Sequence, residues 1–199
     1  MIRKIFSRKN LPLVAGVTAS AALIGGLLLY HMKRKPSKPS GGVDYPKGIV
    51  DPDNAKRIEL TQEEAETRFK CICGVRYNVA LSMAKGLDKY AGSTTISFRV
   101  REEVKEMPEE LFVDFRGKVL TKCELNGAKI KKFEKQRIYF KTAGLKRGDE
   151  RNTLKVEFEN SFVHNGQGPH RFTDTVDSED YIWTQFESFF CHLLFPCFD

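Results

Sequence analysis

The hydrophobic pattern changes character along the chain. From Leu11 to Tyr30 twenty successive residues carry no charge (LPLVAGVTASAALIGGLLLY), and at the helical rise of ~1.5 Å such a run spans the ~30 Å hydrocarbon core of a bilayer. A single spanning helix over 11–30 is the expectation, with the lipid bilayer as its partner and a single-pass membrane location as its consequence. Two other readings stay open. Ala19-Ser20-Ala21 has the small-x-small form of a signal-peptide cleavage site, although the apolar run continues beyond it, and the acid-free basic start suits a mitochondrial presequence. Basic residues flank the run on both sides, so orientation is undetermined. Residues 36–54 combine Pro, Gly and Ser and read as a linker. Thr61 followed by Glu64 forms a capping box, which predicts a short helix from Gln62 to about Cys71.

Period two takes over from there. Val75, Tyr77, Val79, Leu81 and Met83 alternate with polar or small residues, as do Ile96, Phe98 and Val100. Leu111 to Phe115, Thr121 to Leu125, Ile138 with Phe140, and Leu154 to Phe158 mark four more strands. Asn126-Gly127 between alternating runs predicts a tight hairpin, because both residues accept positive φ. Several short strands at this spacing predict an antiparallel sandwich or open barrel.

Charge and composition narrow the function. The 199 residues carry a formal +7, which would suit a nucleic-acid binder. Yet eight basic residues and no acid lie in residues 1–43, leaving 25 basic against 26 acidic side chains from Asp44 onward. No nucleic-acid partner is therefore expected, and Lys129, Lys131, Lys132 and Lys135 read as a solvated strand face. The five cysteines match neither a disulfide framework nor a paired zinc layout, so free thiols are expected. No H-E-x-x-H, G-x-S-x-G, Walker or dinucleotide motif occurs, and no metal ligands or catalytic residues are assigned within this chain.

The last forty residues say most. Gly166-Gln-Gly-Pro-His-Arg-Phe172 is followed by a strand ending in Thr184-Gln185-Phe186-Glu187, and then by Phe195-Pro-Cys-Phe-Asp199. This order of motifs, with the opening LTQEEAETRFKCICGVRYNVALSM from Leu60, resembles the amino-terminal domain of the aminopeptidase N family of zinc metallopeptidases. The resemblance covers about 60–199. It implies a saddle-like β-sandwich that covers the active site of a separate catalytic domain, where the zinc, the general base and the peptide-binding loop reside. It also implies that Gln185 lines the pocket for the first substrate side chain and that Glu187 helps hold the free α-amino group. Two departures stand out: Cys191-His192-Leu193-Leu194 replaces a stretch in which relatives often carry arginine, and Trp183 replaces a Phe or Tyr.

The expected organisation is thus a basic flank (1–10), a transmembrane helix (11–30), a basic flank and flexible linker (31–59), and a mainly β domain (60–199) lacking the catalytic half. Such a chain should need no cofactor of its own, with zinc confined to the full-length parent enzyme, and should be inactive alone. It would meet the peptide N-terminus only together with the missing catalytic domain. A stand-alone membrane-tethered interaction module or pseudo-enzyme is the alternative. The strongly apolar run from Phe189 to Phe198 is expected to need a covering partner.

Overall fold

A computed structural model describes residues 48–52 and 59–199 in full and, as backbone, two short strands before them. In chain order the elements are β1 (Ala15–Ala19), β2 (Tyr30–Met32), β3 (Ile49–Val50), α1 (Gln62–Cys71), β4 (Ile72–Met83), β5 (Lys89–Val100), β6 (Glu110–Asp114), β7 (Val119–Leu125), β8 (Ala128–Lys129), β9 (Phe133–Glu134), β10 (Arg137–Lys141), β11 (Asn152–Ser161), β12 (Gly168–Thr173) and β13 (Asp180–Gln185). All pairings between these strands are antiparallel. The large sheet runs β1-β4-β5-β11-β7-β3 with β8 beside β7, and two three-stranded sheets run β6-β10-β9 and β12-β13-β2.

The alternation seen in the sequence sets which face is buried. On β5 the side chains of Ile96, Phe98 and Val100 are buried, and on β11 so are Leu154, Val156 and Phe158. They meet the inner residues of the β6-β10-β9 sheet in one core, where Phe98 lies 6.1 Å from Phe140 and Phe158 lies 4.7 Å from Phe115 between ring centroids. Asn126 and Gly127 adopt φ of 50° and 86°, closing the predicted two-residue hairpin between β7 and β8. The five cysteines are free thiols, with Cys71, Cys123 and Cys197 buried.

Helix α1 begins where the capping box placed it. The Glu64 N–H donates to Thr61 Oγ1 at 3.2 Å and the Thr61 N–H donates to Glu64 Oε2 at 3.0 Å. What the helix buries is the reverse of an amphipathic pattern: Arg68 is 7% exposed and Phe69 is 71% exposed. Arg68 donates to Asp114 Oδ2 at 2.6 Å, while Arg137, also buried, donates to both oxygens of Glu64 at 2.7 and 3.0 Å. The Phe112 ring lies 4.9 Å from the Arg68 guanidinium and 4.0 Å from that of Arg137. Two cations are thereby taken from water with carboxylate and aromatic partners, the condition under which such burial is tolerated.

Three expectations meet the structure differently. The spanning helix expected over 11–30 is unconfirmed: Ala15–Ala19 are extended and pair with Tyr77–Leu81 of β4. The strand satisfies the backbone groups along that edge of β4, which would otherwise be open. Tyr30–Met32 are likewise extended, as β2 beside β13; the rest of that run, the basic residues of the flanks and most of the linker lie outside the described residues, and among the described residues no helix is long and apolar enough to cross a membrane. Within the stretch read as linker, Ile49–Val50 pair with Val119 and Leu120, and the buried Asp51 carboxylate accepts from the Lys135 and Gln136 N–H groups at 2.9 and 2.6 Å. Finally, much of the apolar end of the chain packs on the domain itself: Leu193, Leu194 and Cys197 are buried, and Asp114 and Cys197 exchange both backbone hydrogen bonds, while Phe189 stays exposed.

Two glycines separate crowding from backbone strain. A Cβ on Gly92 would run into the buried Phe158 ring, whereas one on Gly127 would meet nothing but sits at positive φ. Gly92→Ala is expected to cost about 1–3 kcal/mol through overpacking and Gly127→Ala about 1 kcal/mol through the left-handed backbone. Urea unfolding checks both, and a Gly92→Ala loss well below about 1 kcal/mol would contradict the packing assignment.

Candidate functional site

The final hairpin presents two different faces. In its register Gly168 stands opposite Gln185, His170 opposite Trp183 and Phe172 opposite Tyr181. His170 stacks on Trp183 at 4.1 Å and Phe172 on Tyr181 at 5.3 Å, so this face is an aromatic row that runs into Gln185. The alternate positions Arg171, Asp180 and Ile182 are buried.

That buried side is fastened by charge. Arg171 donates to Asp180 Oδ2 at 2.9 Å and also pairs with Asp88, while Thr173 Oγ1 donates to Asp180 Oδ1 at 2.6 Å and the Gly86 N–H to Oδ2 at 3.3 Å. Burial alone would raise the Asp180 pKa, but the hydrogen bonds from Thr173 and Arg171 outweigh it and hold the carboxyl below the usual carboxylate range. The hairpin is thus tied to the turn between β4 and β5. The glycines of the preceding loop have local reasons: Gly166 and Gly168 sit at φ of 83° and 62°, and a Cβ on Gly168 would collide with Leu193. His170 accepts from the Gly166 N–H through Nδ1 at 2.8 Å. Burial, reinforced by nearby His164, pushes its pKa down, in keeping with Nδ1 acting as an acceptor.

Beyond β13 the chain turns through Glu187–Phe189, closed by the Phe190 N–H donating to Phe186 O at 3.0 Å, with a cis Glu187–Ser188 peptide. Gln185 and Glu187 are both exposed, and Phe186 between them packs against the core. The Gln185 side-chain oxygen accepts from the Glu187 N–H at 3.3 Å, which links the two candidates directly. Among the described residues the Glu187 carboxylate has no cationic partner within 4.0 Å. A cleft of about 200 Å³ lined by Glu59, Leu60, Asp114, Phe189 and Asp199 opens beside the turn.

The segment after the turn is held from below. Asn160 Nδ2 lies 2.9 Å from Arg116 O and 3.0 Å from Leu193 O, and Tyr90 Oη donates to Leu194 O at 3.0 Å. Burial raises the Tyr90 pKa far above the ordinary phenol value, so it stays a donor. His192, in the stretch where the sequence departs from its relatives, is 1% exposed, with Nδ1 2.5 Å from Asp199 Oδ2. Periodicity did not single out Asp180, Arg171, Asn160 or Tyr90. The signal was there for Asn152 and Asn160, two polar residues at the inward parity of a hydrophobic strand. Among the described residues no three His, Cys, Asp or Glu side chains are grouped to hold a metal ion.

Residues 74–199 match the family model described as the peptidase M1 N-terminal domain. The chain is similar to aminopeptidase N of Streptomyces lividans, at 32% identity over 133 residues, covering 64% of this chain and 15% of that protein. The structure of native leukotriene A4 hydrolase from Saccharomyces cerevisiae is similar at a TM-score of 0.46 and 22% identity, over 60% of this chain and 20% of that one. The chain therefore spans 15% of the length of the curated relative it matches.

Asp180→Asn should leave the buried Arg171 without its main counter-charge, a loss of about 3 kcal/mol. Because the folded pKa of Asp180 is lowered, its contribution is complete above the ordinary carboxylate range and disappears as pH falls through the lowered value. Amide exchange in β12 and β13 should accelerate in the variant at pH 7, and the variant should lack the wild type's extra loosening in acid. Unchanged exchange in this hairpin would refute the fastening role.

Proposed function

The chain belongs to the peptidase M1 N-terminal domain family, and from that premise we propose that it is the substrate-cleft domain of a zinc metallo-aminopeptidase. In this reading the saddle-like sandwich presents Gln185 and Glu187 to the amino end of a bound peptide. What carries it is the pair itself: two exposed side chains at the end of a fastened hairpin, coupled by one hydrogen bond, with a carboxylate that lacks a cationic partner among the described residues. A carboxylate placed so pairs with a substrate ammonium and fixes the position of the scissile bond. Gln185, whose oxygen is occupied by the Glu187 N–H, has its amide N–H2 left to donate beside the first side chain.

The described residues do not form a zinc ligand set. Activation of water would fall to a catalytic domain bearing an H-E-x-x-H helix, which this sequence does not contain. The division of labour is positioning here and bond cleavage there.

We also propose that residues 11–30 anchor the protein to a membrane as a single span. The uncharged run and its basic flanks support this. The extended pairing of Ala15–Ala19 with β4 and a spanning helix are mutually exclusive uses of the same residues.

Two experiments test the reading. The purified 199-residue chain should release no amino acid from leucine 4-nitroanilide, with or without added zinc, and chelator-sensitive release would contradict the division of labour. The chain should stay with membranes through alkaline carbonate extraction, and full release into the supernatant would favour the strand over the span.

A further inference from the structure

A separate cluster lies at one end of the large sheet. Between β4 and β5 the register jumps from Cys73 opposite Arg99 to Arg76 opposite Ser97, leaving one extra residue on β4. Gly74 in this bulge has a φ of 59°. The bulge places Arg76 across from Ser97, and period two places Arg99 on the same outward face. Arg151 reaches over from the start of β11: its Nε donates to Ser97 Oγ at 2.6 Å, and its Nη2 to Ser97 O at 2.8 Å and Gly74 O at 2.5 Å.

Two of the guanidiniums, those of Arg99 and Arg151, flank one point. A Cβ on Gly74 would lie 3.6 Å from Arg151 Nη1, 3.6 Å from Arg99 Nε and 3.8 Å from Arg99 Nη2. Gly74 is exposed and carries no side chain, so the surface outside its Cα is open between these two guanidiniums. Arg99 Nε is shut off from solvent yet has no acceptor. Burial, and then the charges of Arg76 and Arg99, push the Arg151 pKa down, the mark of like charges held together. Among the described residues the acid paired with the cluster is Asp149, 3.4 Å from Arg99 Nη1 with its side chain 94% exposed, and so exposed a pair contributes little.

We propose that Arg76, Arg99 and Arg151 form a binding site for a phosphate group seated above Gly74. Guanidinium forks match phosphate oxygens in geometry and charge, and a dianion offsets the mutual repulsion of three cations. Arg151 has Nη1 left for a ligand, since its Nε and Nη2 are held by Ser97 and Gly74, and donors arriving from two strands and from the lead into a third suit a tetrahedral oxyanion better than a planar carboxylate. The phosphate could be free or carried on a lipid headgroup; the chemistry of recognition is shared.

The full chain, titrated with inorganic phosphate at constant ionic strength, should show a saturable shift of the Arg99 Nε–Hε resonance. Arg76→Gln and Arg99→Gln should each weaken phosphate binding tenfold or more, while the exposed Lys131→Gln should not. Arg76 is itself exposed, so its replacement leaves the core untouched and an unchanged unfolding midpoint verifies that. Repeating the titration with dihexanoyl phosphatidic acid, below its micelle concentration and against the phosphatidylcholine analogue, separates the sources. Tighter binding of the phosphatidic acid than of inorganic phosphate assigns a headgroup, and equal or weaker binding assigns free phosphate. An Arg99 resonance that does not move with either, or affinities unchanged in both arginine variants, overturns the proposal.

Discussion

The buried pairing of Arg171 with Asp180 governs where the exposed end of the last hairpin stands. A hairpin of two strands is marginal without further support, and β2 pairs with only Asp180–Ile182 of this one, whose aromatic outer face would not fix its direction. Asp180 receives Arg171, Thr173 and the Gly86 N–H, so the anchor joins β12, β13 and the β4–β5 turn in one buried point. Gln185 lies five residues along the strand from that anchor, and its position follows from the rigidity of what precedes it.

The chain beyond the site is fixed with equal care. Asn160 and Tyr90 project from the inner face of the large sheet to the carbonyls of Leu193 and Leu194, and Asp114 pairs with Cys197 through backbone bonds in both directions. The turn bearing Glu187 therefore hangs between two anchored segments. His192 fills a buried place near Asp199, which accounts for how the stretch that departs from its relatives still packs.

How much of this was legible depends on which physical signal each residue carries. Strands with large alternating side chains, such as Ile96 to Val100 and Leu154 to Phe158, announce themselves, and so do the capping box and the Asn-Gly turn. The first half of β5 does not, because Gly92, Ser93, Thr94 and Thr95 are small or polar on both faces. Ile49–Val50 is too short for any period to register. Arg68 and Arg137 are buried because carboxylate and aromatic partners arrive from distant sequence, and no local pattern reveals that. Gln185 and Glu187 were identified through a motif in order, since alternation alone marks them as ordinary outward positions.

The central claim is that Glu187 recognises a charged amino terminus. Under the proposed function, kinetics of an enzyme that joins this domain to a catalytic domain, measured with leucine 4-nitroanilide and with its desamino analogue, test it most directly. A charge-assisted hydrogen bond of about 1.5–3 kcal/mol predicts that Glu187→Gln lowers kcat/KM roughly 10–100-fold for the amine substrate and leaves the desamino analogue unchanged. Equal losses on both substrates, or none on either, would contradict the account.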